Sequence, residues 1–322
     1  MTSLINTVRA TVLSIANKNN FGYITPNDFN LYAKQAQLDI FEDYFYQYNS
    51  QLVKQNVRQS GSGYADIVKG IEEVVDSFSR TKVLANTGVS NYDLPEDYYL
   101  INKINYYNTL LAQGQATSIA NNRLIDSNAT FTSTVQVGSL VSNIVSGDTA
   151  FVVEIISNTE LRLTQDLFGA TDLFAEYAIV STAYNTIKEV ERVSQNKIFY
   201  LNSSPLTSPS TTYPAYVLGG ANDTTYGNTI TIYPISLTQP GSIVSQYIRY
   251  PKDPNWTYVQ LPPGGEPAFN ESALDYQDFE LPISDEPNLV NKILQYAGVS
   301  IRDKEVAAFG KLEENEATKQ EG

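Results

Sequence analysis

The chain contains no cysteine and no histidine, and only one methionine and one tryptophan. Without cysteine there is no disulfide framework and no thiolate metal site. Without either residue, zinc, haem, Ser-His-Asp and Cys-His chemistry lack their usual ligands and bases. Basic residues are also short, 21 against 35 acidic, for a formal charge of -14. Duplex binding runs on Lys and Arg neutralising phosphates, so a chain this acidic is not expected to gather on nucleic acid. Long apolar runs are missing, which excludes a membrane-spanning helix. The opening MTSLINTVRATVLSIANK has no basic n-region and is interrupted by Asn6, Thr7 and Arg9, so it does not read as a secretory signal. What the chain does have is 23 tyrosines and 13 phenylalanines in 322 residues, a length that suits about two domains.

Hydrophobic spacing predicts helices in the first quarter. Leu4, Ile5, Val8, Val12 and Ile15 recur at helical intervals, with Thr2 or Ser3 as cap. Thr25, Pro26 and Asp28 form a start signal close to a capping box, followed by the stripe Phe29, Ala33, Ala36, Ile40 and Tyr44. That helix is expected to run from 26 to about 58, where SGSG stops it. A third carries Ile67, Ile71, Val74 and Phe78 on one face. The period then moves towards 2, with NYDLPEDYY and LINKINYY as strands around a turn at Pro95. Residues 118–181 are rich in Ser, Thr and Asn, lack proline, and offer the short runs RLI, TFTSTVQV, AFVVEII, ELRLT and EYAIV. Turn residues between such runs predict an inserted barrel or sandwich. Further strands are expected at KIFYL, AYVL, TITIY and IVSQYIRY. Seven of the 14 prolines fall in 251–287, which predicts an irregular segment wrapping a surface. Helix resumes at NLVNKILQYAG, ending at Gly298, and again from Asp303 to about Glu316. Residues 251–322 hold 14 acidic against 6 basic side chains, more than half the net charge.

Catalytic motifs fail one by one. Gly61-Ser62-Gly63 opens like a dinucleotide loop, but position 66 is Asp and the preceding element is a helix. Ser79-Arg80-Thr81-Lys82 fits S-x-x-K without its companion motifs. Glu72-Glu73 is the polar side of a helix. Asp275, Asp278 and Glu280 are the one carboxylate cluster that could serve a glycosidase, and acids in a Pro-rich wrapping segment ordinarily face solvent. The expectation is therefore a protein without enzymatic activity, metal or cofactor. The aromatic cluster Phe41, Tyr44, Phe45, Tyr46 and Tyr48 covers more than one helix face, so part of it is free for a subunit interface, where tyrosine is enriched. The interface residues expected are Phe41, Tyr44, Phe45, Tyr48, Trp256, Leu289, Ile293 and Tyr296.

Five segments, in order, carry a resemblance: GYITPNDFNLYAKQAQLDIFEDYF, NYDLPEDYYLINKINYY, SPSTTYPAYV, IRYPKDPNWTY and DFELPISDEPNLVNKILQYAGVSIRDKEV. Together they resemble the head-to-tail ring, or adaptor, proteins of crAss-like podoviruses, over the whole chain except 118–181. Within that insert, RLIDSNATF, VQVGSLVSN and NTELRLTQDLF are similar to small β-modules of phage virion proteins. The resemblance implies a dodecameric ring docked on the portal protein and touching neighbouring tail rings. DNA would pass through its centre without sequence-specific binding, and no membrane is involved. It implies a place in the virion, after assembly in the host cytoplasm, and carries over no catalytic or cofactor residue.

The resulting expectation is an α+β fold. It comprises an N-terminal helical bundle part (1–80), a β-rich core (81–117 and 182–260), an inserted small β-barrel or sandwich module (118–181), and a Pro-rich arm with C-terminal helices (261–322). Two rival functions remain: a peripheral tail or fibre-type binding protein using the inserted module, and the carboxylate glycosidase.

Overall fold

The computed structural model describes residues 3–16, 24–57, 65–169, 172–219, 228–260 and 267–300. Within them the chain is mixed α and β, with six helices and several sheets. The helices are α1 (Leu4–Ala16), α2 (Pro26–Val57), α3 (Ala65–Ser77), α4 (Phe131–Thr134), α5 (Gln195–Asn202) and α6 (Glu286–Ser300). The strands begin with β1 (Ser79–Val83), β2 (Ala85–Asn86), β3 (Asn91–Asp93), β4 (Tyr98–Tyr107), β5 (Leu110–Gln115), β6 (Ser118–Ala120) and β7 (Arg123–Ile125). Next come β8 (Leu140–Asn143), β9 (Thr149–Ser157), β10 (Glu160–Leu163), β11 (Glu176–Val180), β12 (Ile187–Glu189) and β13 (Glu191–Arg192). The last are β14 (Ala215–Leu218), β15 (Thr229–Tyr233), β16 (Ile243–Arg249), β17 (Tyr258–Gln260) and β18 (Pro267–Phe269). The chain divides into two compact units, one from both ends of the sequence (up to Phe78 and from Tyr250) and one from Ser79 to Arg249.

The first unit is helical, and its start signals are realised. The Thr25 hydroxyl accepts from Asp28 N at 3.2 Å and donates to the Asp28 carboxylate at 2.6 Å, and Pro26 opens α2 where its missing N–H costs nothing. Phe29, Ala33, Ala36 and Ile40 are buried as one stripe. Of the two caps expected for α1, Thr2 lies outside the described residues, and the first amides of the helix are met from elsewhere. Asp278, far along the chain, accepts from Leu4 N and Ile5 N at 2.9 and 2.7 Å, while the Ser3 hydroxyl accepts from Tyr276 Oη at 2.7 Å. The helix has no acidic residue of its own in the first turn, so a remote carboxylate meets its positive end.

The second unit holds three sheets. The four-stranded one runs β1-β16-β4-β12, with β16 paired along its length to β4 from Ile243↔Tyr106 to Arg249↔Tyr98. Only Gln246 of β16 is exposed, and a strand buried on both faces reads as a near-continuous apolar run. A five-stranded sheet runs β13-β14-β15-β3-β2, and a seven-stranded one β5-β11-β8-β9-β10-β7-β6. The two edge strands of the latter, β5 and β6, are consecutive in one stretch of chain from 110 to 120, so the sheet curls back on itself. Its core gathers Leu124, Phe131, Leu161, Phe168 and Tyr177. Inside, Tyr177 donates to Asp126 at 2.6 Å. A Cβ at Gly114 would lie 2.5 Å from that carboxylate and 2.8 Å from the tyrosine oxygen, so only glycine fits. Val83, Leu140, Val180 and Val244 form a small cluster shared between this sheet and the strands β1 and β16.

Several expectations change. The seven-stranded sheet begins at Leu110, ahead of the segment 118–181, because β5 pairs with β11 from Gln115↔Glu176 to Leu110↔Val180. Residues 250–260 belong to the helical unit and not to the β core. KIFYL is not a strand but part of α5, whose cap is the Ser194 hydroxyl accepting from Lys197 N. The run TFTSTVQV contains the single turn α4. Helix α6 continues through Gly298. The segment 251–287 is not wholly irregular: β17 and β18 pair, and Asn255 bridges Gln277. The helix expected over 303–316 lies outside the described residues.

Candidate functional site

Four of the eight residues expected at an interface lie in the interior of the helical unit. Phe41, Trp256, Leu289 and Ile293 are fully buried within their own chain. Phe41 packs edge-on against Phe45 and Phe78, with ring centroids 5.0 and 5.1 Å away. Trp256 donates its indole N–H to Asn6 at 3.0 Å, lies under the Arg9 guanidinium at 3.7 Å, and stacks on Tyr258 and Phe269. Tyr44 and Tyr296 are half-buried and donate to Asp285 and Asp39 respectively. Burial pushes the Asp285 carboxyl above its ordinary range, an effect partly offset by hydrogen bonds from Tyr44 and Asn288. Of the aromatic cluster, Tyr46 faces solvent, and the side chain of Tyr48 lies outside the described part.

A polar row on α2 does work that the sequence did not announce. Asn30, Lys34 and Gln37, spaced to share one helix face, grip the chain from Lys252 to Trp256. Asn30 donates to Asn255 at 2.8 Å and accepts from Trp256 N at 2.9 Å. Lys34 meets Asp253 at 2.6 Å. Gln37 is buried, donates to the Lys252 carbonyl at 2.8 Å and accepts from Glu280 N at 3.0 Å. The carboxylate cluster has structural partners too. Asp278 binds the start of α1, Glu280 accepts from Lys252 N at 2.8 Å, and Asp275 accepts from the Asn255 amide at 3.2 Å. Among the described residues no group of three or more acidic side chains could hold a metal ion. No described helix is long and apolar enough to cross a membrane.

The surface with most to offer a partner was missed. Helix α5 packs on β14 through Ile198, and on its outer side Phe199 and Tyr200 are exposed. The loop that follows is pinned: Thr207 Oγ1 donates to the Leu201 carbonyl at 3.0 Å, and Ser208 N donates to the Ser204 carbonyl at 3.0 Å. It presents Leu206 and Tyr213, both almost wholly exposed. Between loop and helix lies a pocket of about 360 Å³, lined among others by Glu191, Lys197, Leu201, Leu206 and Tyr213. Tyrosine and proline on a pinned loop offer contact area at small entropic cost. The sequence signal was present in KIFYL and SPLTSPSTTYP, but the first read as a strand and the second as turns, whereas Lys197 and Leu201 of the first line one pocket with Leu206 and Tyr213 of the second.

Compared with known proteins, the chain matches no family model, and no curated protein matches it either.

Proposed function

We propose that this chain is a non-enzymatic structural component of a tailed-phage virion, one that forms a ring between portal and tail around the DNA conduit. In this reading the curled seven-stranded sheet is a small β-barrel module inserted in an adaptor, and α1, α2, α3 and α6 are its helical bundle. The observation that carries the proposal is how the resembling segments meet. Three of the five, 22–45, 248–258 and 278–306, lie far apart in sequence, yet Asn30, Lys34, Gln37, Asp39 and Tyr44 of the first bind residues of the other two. Motifs whose polar residues are consumed in holding helices to an arm suit a scaffold, and the clustered carboxylates Asp275, Asp278 and Glu280 each accept a hydrogen bond within it.

Charge agrees with a conduit. A wall of net negative sign gives DNA no phosphate-binding sites to stick to, and the chain carries -14. The fibre-type alternative is less favoured because the inserted sheet shares an apolar cluster with β1 and β16 instead of standing apart as a receptor-binding appendage. The test is sedimentation of the purified chain with and without the portal protein of the same phage. Co-migration in a fixed ring-to-ring ratio is expected; a chain that never joins the portal contradicts the proposal.

A further inference from the structure

The pocket between α5 and the loop that follows it is lined by Glu191, Lys197, Thr207, Ser208, Ser210 and Tyr213, among others. Its volume of about 360 Å³ falls at the small end of the range for small-molecule sites, about 300–1,000 Å³. Glu191 and Lys197 are exposed, and among the described residues neither side chain has a hydrogen-bond or ion-pair partner, not even the other. Their charges cancel over the pocket, yet they leave it one carboxylate that accepts and one ammonium that donates. Tyr213 is 80% exposed, so most of its ring is uncovered. Its position is fixed all the same: Tyr213 N donates to the Ser210 carbonyl and Ser210 N to the Tyr213 carbonyl, both at 3.1 Å. Pro205, Pro209 and Pro214 set φ at three more positions around the pocket. A wall held in this way loses little conformational freedom when the pocket is filled.

The chemistry of the lining selects the class of ligand. An apolar occupant would take Glu191 and Lys197 out of water without giving them partners. A phosphate or other anion would meet the Glu191 carboxylate, and a metal ion the Lys197 ammonium. A sugar ring suits all three groups at once. Its hydroxyls both donate and accept, it carries no charge, and the C–H bonds on its face pack against an aromatic ring. We propose that this pocket binds a neutral saccharide, one or two rings long, with Tyr213 as the stacking platform, Glu191 accepting from sugar hydroxyls and Lys197 donating to them. The site lies wholly within the unit from Ser79 to Arg249. It goes beyond the ring reading above and does not depend on it.

The test uses the full chain and saturation-transfer NMR with maltose, cellobiose, lactose and chitobiose as neutral probes and glucuronate as the charged one. Transfer to at least one neutral disaccharide is expected. Tyr213→Ala should weaken that binding by about 3- to 10-fold, the worth of an aromatic contact. Glu191→Gln and Lys197→Gln should each weaken it by about 10-fold, the lower end for a hydrogen bond to a charged group. Phe199→Ala is the control: the residue is exposed on the same helix but does not line the pocket, so binding should not change. All four positions are exposed, and circular dichroism checks that each variant folds. No transfer to any of the four neutral sugars overturns the proposal. Equal transfer in wild type and Tyr213→Ala overturns the assignment of the pocket. A response to glucuronate alone, lost in Lys197→Gln and in high salt, overturns the neutral class. Each of these failures leaves the ring standing, since co-migration with the portal is read separately.

Discussion

Replacing Asp278 by alanine removes the carboxylate that receives the first two amides of α1, at 2.9 and 2.7 Å, together with its own bond to Phe279 N at 2.8 Å. Hydrogen bonds to a charged group are worth about 1.5–3 kcal/mol each, and loss of a helix N-cap costs about 0.5–2 kcal/mol. The amides are only partly buried, so water recovers some of that. A net loss of about 2–3 kcal/mol follows, concentrated on α1 because the helix has no acidic residue in its own first turn. At about 1.4 kcal/mol per factor of ten, local opening of α1 should become roughly 30- to 140-fold more frequent. Hydrogen exchange followed by mass spectrometry reads this directly, as faster exchange in peptides covering Leu4–Ala16. Asp275→Ala is the control: its carboxylate is exposed and among the described residues meets Asn255, so the change should stay within about 0.5 kcal/mol. Unchanged exchange of α1 in Asp278→Ala, or an equal effect from Asp275→Ala, would refute the assignment of Asp278 as the distant cap.

Two further outcomes concern the β unit. Gly241 occupies the third position of the turn Gln239-Pro240-Gly241-Ser242, closed by Ser242 N donating to the Gln239 carbonyl, with φ at +69°. A Cβ there would sit 2.4 Å from that of Ala178, so Gly241→Ala should destabilise by about 2–4 kcal/mol from left-handed strain plus overpacking; chemical denaturation measures it, and a loss below about 1 kcal/mol contradicts the turn. Burial raises the pKa of Tyr92, Tyr106, Tyr107, Tyr177, Tyr216 and Tyr247 above the ordinary 10.0, with the nearby carboxylates Asp126 and Asp97 adding to the rise at Tyr177 and Tyr247. A raised folded pKa contributes stability that is complete below the unfolded value and lost as pH climbs through the folded one. Melting temperature should therefore fall above about pH 10, with these tyrosines ionising only as the unit unfolds; ultraviolet titration showing every tyrosine ionising at an ordinary pKa in a folded chain would contradict this.

Much of the helical unit was legible because its signals are local. Thr25, Pro26 and Asp28 mark the start of α2, and the stripe from Phe29 to Ile40 marks its buried face. Its second face was not legible. Asn30 and Gln37 look like solvated residues of a helix, and nothing in the sequence says that the backbone they bind lies more than 200 positions away. The same distance hid the cap of α1. Helix α5 was misread because Ile198, Phe199 and Tyr200 favour strands by side-chain type, while the deciding signal was the single Ser194 cap. The edge strand of the seven-stranded sheet was not legible because Leu110–Gln115 pairs with the distant β11. The α5 surface was missed with its helix, since a strand reading of KIFYL does not place Phe199 and Tyr200 on the outer side of a helix. Of the aromatic residues expected at an interface, Phe41 and Trp256 are buried within the helical unit, since a large ring is as useful inside a unit as between two.

The most direct measurement of the central claim is electron cryomicroscopy of the purified chain bound to the portal, viewed end-on. The account predicts class averages with a closed ring of identical copies around a hole wide enough for duplex DNA. Averages that show isolated copies, or an attachment to the portal without a ring, would contradict it.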